Sequence, residues 1–169
     1  ALRKVLGNEQ IDFAMSGRSS ALIELWSRMY EEKAPWLHNT DNANIPATIA
    51  GEIARLTTLE LQSKVEGSPR AECMDAVYQQ VLGKLRVQTE YAFAKGSMVF
   101  KPYITPDGTI AVQYIQADMF FPLDFDSEKM TRCAFLDQFR KGNEIYSRIE
   151  LYSLSGDVLS IKNHVFIAR

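Results

Sequence analysis

The sequence predicts an α+β fold: N-terminal helices, one long central helix, then an antiparallel β-hairpin and a β-meander. Three observations predict it. Through the first half, apolar residues recur at three- and four-residue steps, the spacing of an amphipathic helix. The run YAFAKGSMVFKPYITPDGTIAVQYIQ (residues 91–116) then reads as a helix end, a glycine stop and a hairpin in quick succession. In the last third, short β-prone runs are separated by Lys141-Gly142-Asn143 and Ser155-Gly156-Asp157, which carry the residues of tight turns. Helices precede strands and do not alternate with them, which argues against a doubly wound parallel sheet.

The organising punctuation lies at Gly96. Glycine lacks a Cβ and takes the left-handed conformation that ends a helix, so a strand is expected from Ser97 to Ile104. Thr105-Pro106-Asp107-Gly108 supplies the turn, because Pro106 presets φ, Asp107 bonds its own backbone and Gly108 tolerates positive φ. The returning strand runs from Thr109 to Gln116.

Upstream, residues 1–18 hold scattered apolar positions broken by Gly7 and Gly17, and read as a weak initial helix or lead-in. Ser19 or Ser20 is the expected N-cap of the first clear helix. Leu22, Leu25, Trp26, Met29 and Tyr30 share one face of it, and it ends before Pro35. The segment APWLHNTDNAN is a loop. Pro46 occupies a first helical position, and Ile45, Ile49, Ile53 and Leu56 form the core stripe of a second helix ending near Leu56. Leu59, Leu61 and Val65 then alternate with Glu60, Gln62 and Lys64, which predicts a half-buried strand closed by Gly67. Ser68 as N-cap with Pro69 behind it starts the third and longest helix, whose stripe of Met74, Val77, Tyr78, Val81, Leu82, Leu85 and Ala92 reaches about Lys95. After the hairpin, Met119–Phe125 is an apolar crossing segment containing Pro122. Strands are expected near Thr131–Phe139, Glu144–Leu154 and Asp157–Ile167.

Length and composition bound the rest. The 169 residues suit one domain with a core, and 46% hydrophobic with 24% charged residues excludes a wholly disordered chain or a coiled coil. A net charge of −2 removes the main argument for nucleic-acid binding, which needs clustered Lys and Arg on a face. Cys73 and Cys133 stand far apart without a CxxC pattern, so free thiols in a reducing compartment are expected. No signal peptide and no bilayer-spanning apolar run is visible, and a soluble protein made in the cytosol is expected. The ends, Ala1 and the strand-like SIKNHVFIAR, suggest a piece of a longer chain.

Chemistry-bearing motifs are sparse. Asp124, Asp126 and Glu128 in DFDSE offer oxygen ligands for a hard cation, yet the loop lacks the glycine and terminal glutamate of an EF-hand, and a solvated acidic turn is preferred. His38, His164, Cys73 and Cys133 are zinc-type ligands at no ligand spacing. Neither histidine lies beside a nucleophile and G-x-S-x-G is absent. AKGSMVF has one glycine where a phosphate loop needs several. The chain therefore predicts no catalytic, cofactor-binding or metal residues and no enzyme. The candidate contact residues are Trp26, Tyr30 and Trp36, aromatics around a loop that either anchor a protein partner or close the core between the first two helices.

IELWSRMYEEKAPWL, IPATIAGEIARLTTLEL, GSPRAE, TEYAFAKGSMVFKPY and IAVQYIQADMFFPLDFDSE together resemble phage portal proteins, in particular the type of siphophages and prophages of Gram-positive bacteria. The similarity runs from about Ile23 to the end, and its most specific part is the ungapped block from EYAFAKGSMVFKPY through QADMFFP. The resemblance implies a structural subunit of a ring, usually of twelve, at one capsid vertex in the virion. Terminase drives DNA through that ring, and the capsid protein and head–tail connector contact it. It implies no sequence-specific DNA binding and no membrane. This chain matches the N-terminal wing portion and stops before stem or clip. At most a low-order oligomer is expected of this portion alone. The alternative is a non-catalytic α+β interaction module or another virion adaptor.

Overall fold

A computed structural model of the chain describes Gly7, residues 17–37 and residues 43–167. From Gly17 the order is α1 (Gly17–Tyr30), α2 (Ile45–Thr58), α3 (Ala71–Lys95), β1 (Met98–Ile104), β2 (Ile110–Gln116), a 3-10 turn (Ala117–Met119), β3 (Phe120–Asp126), β4 (Lys129–Lys141), β5 (Glu144–Ser155) and β6 (Val158–Ile167). Helices thus precede a two-stranded and a four-stranded antiparallel sheet, an α+β fold with a hairpin and a meander. The helix expected within residues 1–18 lies almost wholly outside the described residues. A chain whose length suits one domain divides into two compact units, residues 22–117 in one and residues 118–169 with 1–21 in the other.

In the helical unit, α1 begins at Gly17, two residues before the expected serine cap. Ser19 and Ser20 sit in its first turn, where backbone N–H groups have no helical partner and a serine costs little. The helix stops at Tyr30, well short of Pro35, because Glu32 adopts φ 59° and the N–H groups of Lys33 and Glu32 donate back to the carbonyls of Arg28 (2.7 Å) and Met29 (3.3 Å). That pair of bonds is a Schellman closure with glutamate where glycine is usual. Asn44 caps α2: its Oδ1 accepts from the Ala47 N–H at 3.4 Å, while its Nδ2 donates to the Tyr30 carbonyl at 3.3 Å. Asparagine tolerates the left-handed backbone found there (φ 41°).

Three expectations fail in α2 and after it. Its buried residues are Ala50 and Ala54, whereas Ile45, Ile49 and Leu56 of the expected core stripe are exposed. Small residues let two helix backbones approach closely, so the alanine face, not the isoleucine face, is turned inward. The strand expected over residues 59–65 is absent; Leu61–Gly67 is irregular and solvent-facing. Alternation alone does not make a strand without a neighbour to complete its ladder. Here α3 supplies the partners instead: Asp75 Oδ1 accepts from the Val65 N–H at 2.8 Å, and Gln79 Nε2 donates to the Ser63 carbonyl at 2.9 Å. Ser68 likewise does not cap α3 with its side chain. Its carbonyl accepts from the Ala71 N–H at 2.9 Å, forming a turn before the helix, and Arg70 occupies the cap position.

α3 is the longest helix, 25 residues, and ends as expected at Gly96 with φ 90°. Its stripe is only half buried, and Met74 is exposed. The hairpin follows directly, with Met98 opposite Gln116 and Ile104 opposite Ile110 around the Thr105-Pro106-Asp107-Gly108 turn.

The second unit contains the meander, each strand pairing with its sequence neighbour. Met119–Phe125, expected as a crossing segment, is mostly strand: Phe120–Asp126 forms the sheet edge beside β4. Pro122 is compatible with that position because an edge or bulge can lack one N–H, and register shifts flank Asp124. One sheet face carries the core of Leu123, Ala134, Ile149 and Leu151, with Phe121, Leu136 and Phe166 against it. The other carries aromatic pairs, Phe120 with Phe135 (centroids 5.3 Å), Phe135 with Tyr152 (5.1 Å) and Phe139 with Tyr146 (5.5 Å). On that face Arg148 bridges Asp137 (2.9 Å) and Glu150 (3.3 Å).

Candidate interaction surface

The aromatic residues singled out from sequence separate into two groups. Trp26 and Tyr30, one helical turn apart on α1, line an apolar groove of about 150 Å³ with Met29, Ile49, Ile53 and Phe93. Trp36 sits in the turn closed by the Leu37 N–H on the Ala34 carbonyl, is 59% exposed, and does not line the groove.

Tyr30 is the fixed wall. Its hydroxyl donates to Glu90 Oε1 at 2.7 Å, its ring meets Tyr91 edge-on with centroids 5.8 Å apart, and its carbonyl accepts from Asn44. Burial first, then the hydrogen bond to Glu90, pushes its phenol well above the ordinary tyrosine range. A neutral hydroxyl donating to a carboxylate is a strong bond in this setting, and it ties α1 to α3. Trp26, partly exposed, is the other wall. Its ring lies against Gly96, where an added Cβ would come within 3.2 Å of Cζ3. Gly96 is therefore required twice, for its left-handed backbone and for the approach of the indole.

Phe93, 51% exposed on α3, belongs to this groove and to a second one of about 370 Å³ lined by Leu85, Ala92, Met98 and Phe100. Phe100 stacks edge-on with Tyr114 (5.5 Å), whose ring also receives Lys84 Nζ at 5.6 Å from its centroid. Periodicity missed Phe93 and Ile49 as surface residues and half-buried Ile53 as groove lining: the isoleucines read as core stripe, and Phe93 lies one position off the α3 stripe.

The chemistry of this surface is apolar contact. Among the described residues no three His, Cys, Asp or Glu side chains converge to hold a metal ion. Asp124, Asp126 and Glu128 belong to the β3–β4 hairpin, whose loop is Ser127-Glu128 with Ser127 at φ 56°. Cys73 is exposed and Cys133 half-buried, both as thiols. His38 lies outside the described residues. No described helix is long and apolar enough to cross a membrane. No protein-family model matches the chain, and no curated protein or solved structure does so.

Proposed function

We propose that this chain is the wing region of a phage portal subunit, a structural element of the ring at the capsid vertex through which DNA is packaged and to which the head–tail connector attaches. The observation that carries this reading is the resemblance of the ungapped block from Glu90 to Tyr103 and on through Gln116-Ala117-Asp118-Met119-Phe120-Phe121-Pro122. The distribution of apolar surface supports it. Among the described residues, large apolar side chains at the surface outnumber buried ones, and they cluster on α2, the hairpin and β6. Large apolar side chains exposed in such number are ordinary on a subunit that closes against neighbours. The modest net charge fits a portion that meets protein and does not grip the phosphate backbone.

The second reading, a non-catalytic interaction module or another virion adaptor, draws on the groove under Trp26 alone. Negative-stain electron microscopy and light scattering on the product of the whole reading frame that encodes this chain separate the two. Rings with a central channel are expected. A monomeric product at micromolar concentration refutes the portal assignment and leaves the module.

A further inference from the structure

β6 is the last strand of the four-stranded sheet, and no described strand pairs with its outer side. The opposite edge is blunted by Pro122 and by the register shifts around Asp124. β6 has neither device and pairs with β5 without a shift from Tyr146↔Ile167 to Ser155↔Val158. A straight, proline-free, apolar edge is a template for another strand.

The phase of that edge follows from its turn. Only Gly156 and Asp157 separate Ser155 from Val158, so these flanking residues form a hydrogen-bonded pair. Alternation then directs the backbone groups of Ser160, Lys162, His164 and Phe166 toward β5. Those of Leu159, Ile161, Asn163, Val165 and Ile167 point out of the sheet. The same five side chains share one face, and the four apolar ones are 55%, 49%, 52% and 52% exposed. The row is symmetric about Asn163: a β-branched residue two positions away on each side, Ile161 and Val165, and an aliphatic residue four away, Leu159 and Ile167.

We propose that β6 pairs antiparallel with β6 of a second copy of this chain, across a two-fold axis at Asn163, joining two meanders into one continuous sheet. A two-fold contact needs a patch complementary to itself, and a symmetric row provides one. In this register Asn163 faces Asn163, Ile161 faces Val165, Leu159 faces Ile167, and Lys162 faces His164. Moving the axis to Lys162 sets like charges opposite each other and replaces the Ile–Val pair by Ile161 with Asn163, both unfavourable. The pairing goes beyond the portal reading and does not rest on it, since a cyclic ring closes through head-to-tail contacts and this one is two-fold.

Size exclusion with light scattering on the chain at about 100 μM, enough to populate a complex of micromolar Kd, is expected to give a dimer. Val165→Pro removes an outward N–H and leaves the β5 ladder intact; it is expected to give a monomer with an unchanged far-UV spectrum. Asn163→Cys places two thiols at the axis, and mild oxidation followed by peptide mapping is expected to find a 163–163 disulfide. This readout decides the matter should the proline variant misfold. A monomeric parent chain, a dimer that survives a folded Val165→Pro, or the lack of a 163–163 bridge each overturns the proposal. A surviving dimer places the contact elsewhere, with the groove under Trp26 the first surface to test.

Discussion

Gly96→Ala tests the junction on which the helical unit turns. Alanine there must hold a left-handed backbone, φ 90°, which costs an L-residue about 1–2 kcal/mol. Its smaller unfolded-state entropy returns about 0.4–1 kcal/mol. The new Cβ would also lie 3.2 Å from Trp26 Cζ3. Trp26 is partly exposed and can yield a few tenths of an ångström, so this overpacking sits at the low end of its range, about 1 kcal/mol. The expected net loss is about 2 kcal/mol. With a urea m-value of about 1.5 kcal/mol/M, that lowers the midpoint by about 1.3 M. Far-UV circular dichroism follows the transition, since α3, at 25 residues, is the largest contributor to the helical signal among the described helices. Repeating the substitution in a Trp26→Ala background isolates the contact, and the loss is expected to shrink by about 1 kcal/mol there. An unchanged midpoint refutes both requirements. An equal loss in the two backgrounds refutes the indole contact and leaves the backbone argument standing.

Ile149, fully buried in the meander core, is expected to lose about 2–5 kcal/mol on truncation to alanine, and Leu85→Ala on the half-buried α3 stripe less than that; a larger effect at Leu85 in denaturant melts contradicts the burial pattern. Asp75 accepts from the Val65 N–H, and that bond, followed by the one from Gln79, lowers its pKa. A carboxylate with a depressed folded pKa contributes only while ionised. The tether on residues 61–67 is therefore complete above the ordinary aspartate value of about 4 and is lost as pH falls through the lower folded value. The protection factor at Val65, taken against the intrinsic exchange rate at each pH, should fall in that window, and at neutral pH in Asp75→Ala; equal protection in parent and variant dismisses the tether. Native thiol titration is expected to label Cys73 quickly and Cys133 slowly, in line with their exposure, with two thiols counted after denaturation; faster labelling of Cys133 than of Cys73 contradicts the placement of β4.

Local chemistry made parts of this fold legible and contact chemistry hid the rest. Gly96, Gly108, Gly142 and Gly156 all adopt positive φ, and each was readable because only glycine takes that conformation cheaply. The β3–β4 turn was read from DFDSE as an acidic turn but not as the closure of a hairpin, since Ser127 reaches φ 56° without a glycine to advertise it. Pro122 concealed β3 for a related reason: a proline argues against a central strand but not against an edge. The alternation in residues 59–65 was real, but pairing depends on a neighbour that no window of sequence contains. In α2 the pattern named the wrong face, because periodicity locates apolar residues and cannot tell a buried apolar face from an exposed one. Trp26 and Tyr30 were legible as candidates by type; their separation from Trp36, and their union with Phe93, needed the packing of three helices.

The turns of the meander also bear on how the chain acquires its structure. Two residues alone separate β3 from β4, β4 from β5 and β5 from β6, so each register is closed by a short loop at little entropic cost. Such hairpins form in about 1–10 μs and can zip in succession, each completed strand presenting the edge for the next. The helical unit has the opposite problem, because the Tyr30–Glu90 bond spans 60 residues of sequence and must wait for a search over that length. The helices leave the ribosome before the sheet, yet it is the later segment whose strand order can be settled without reference to the helices synthesised before it.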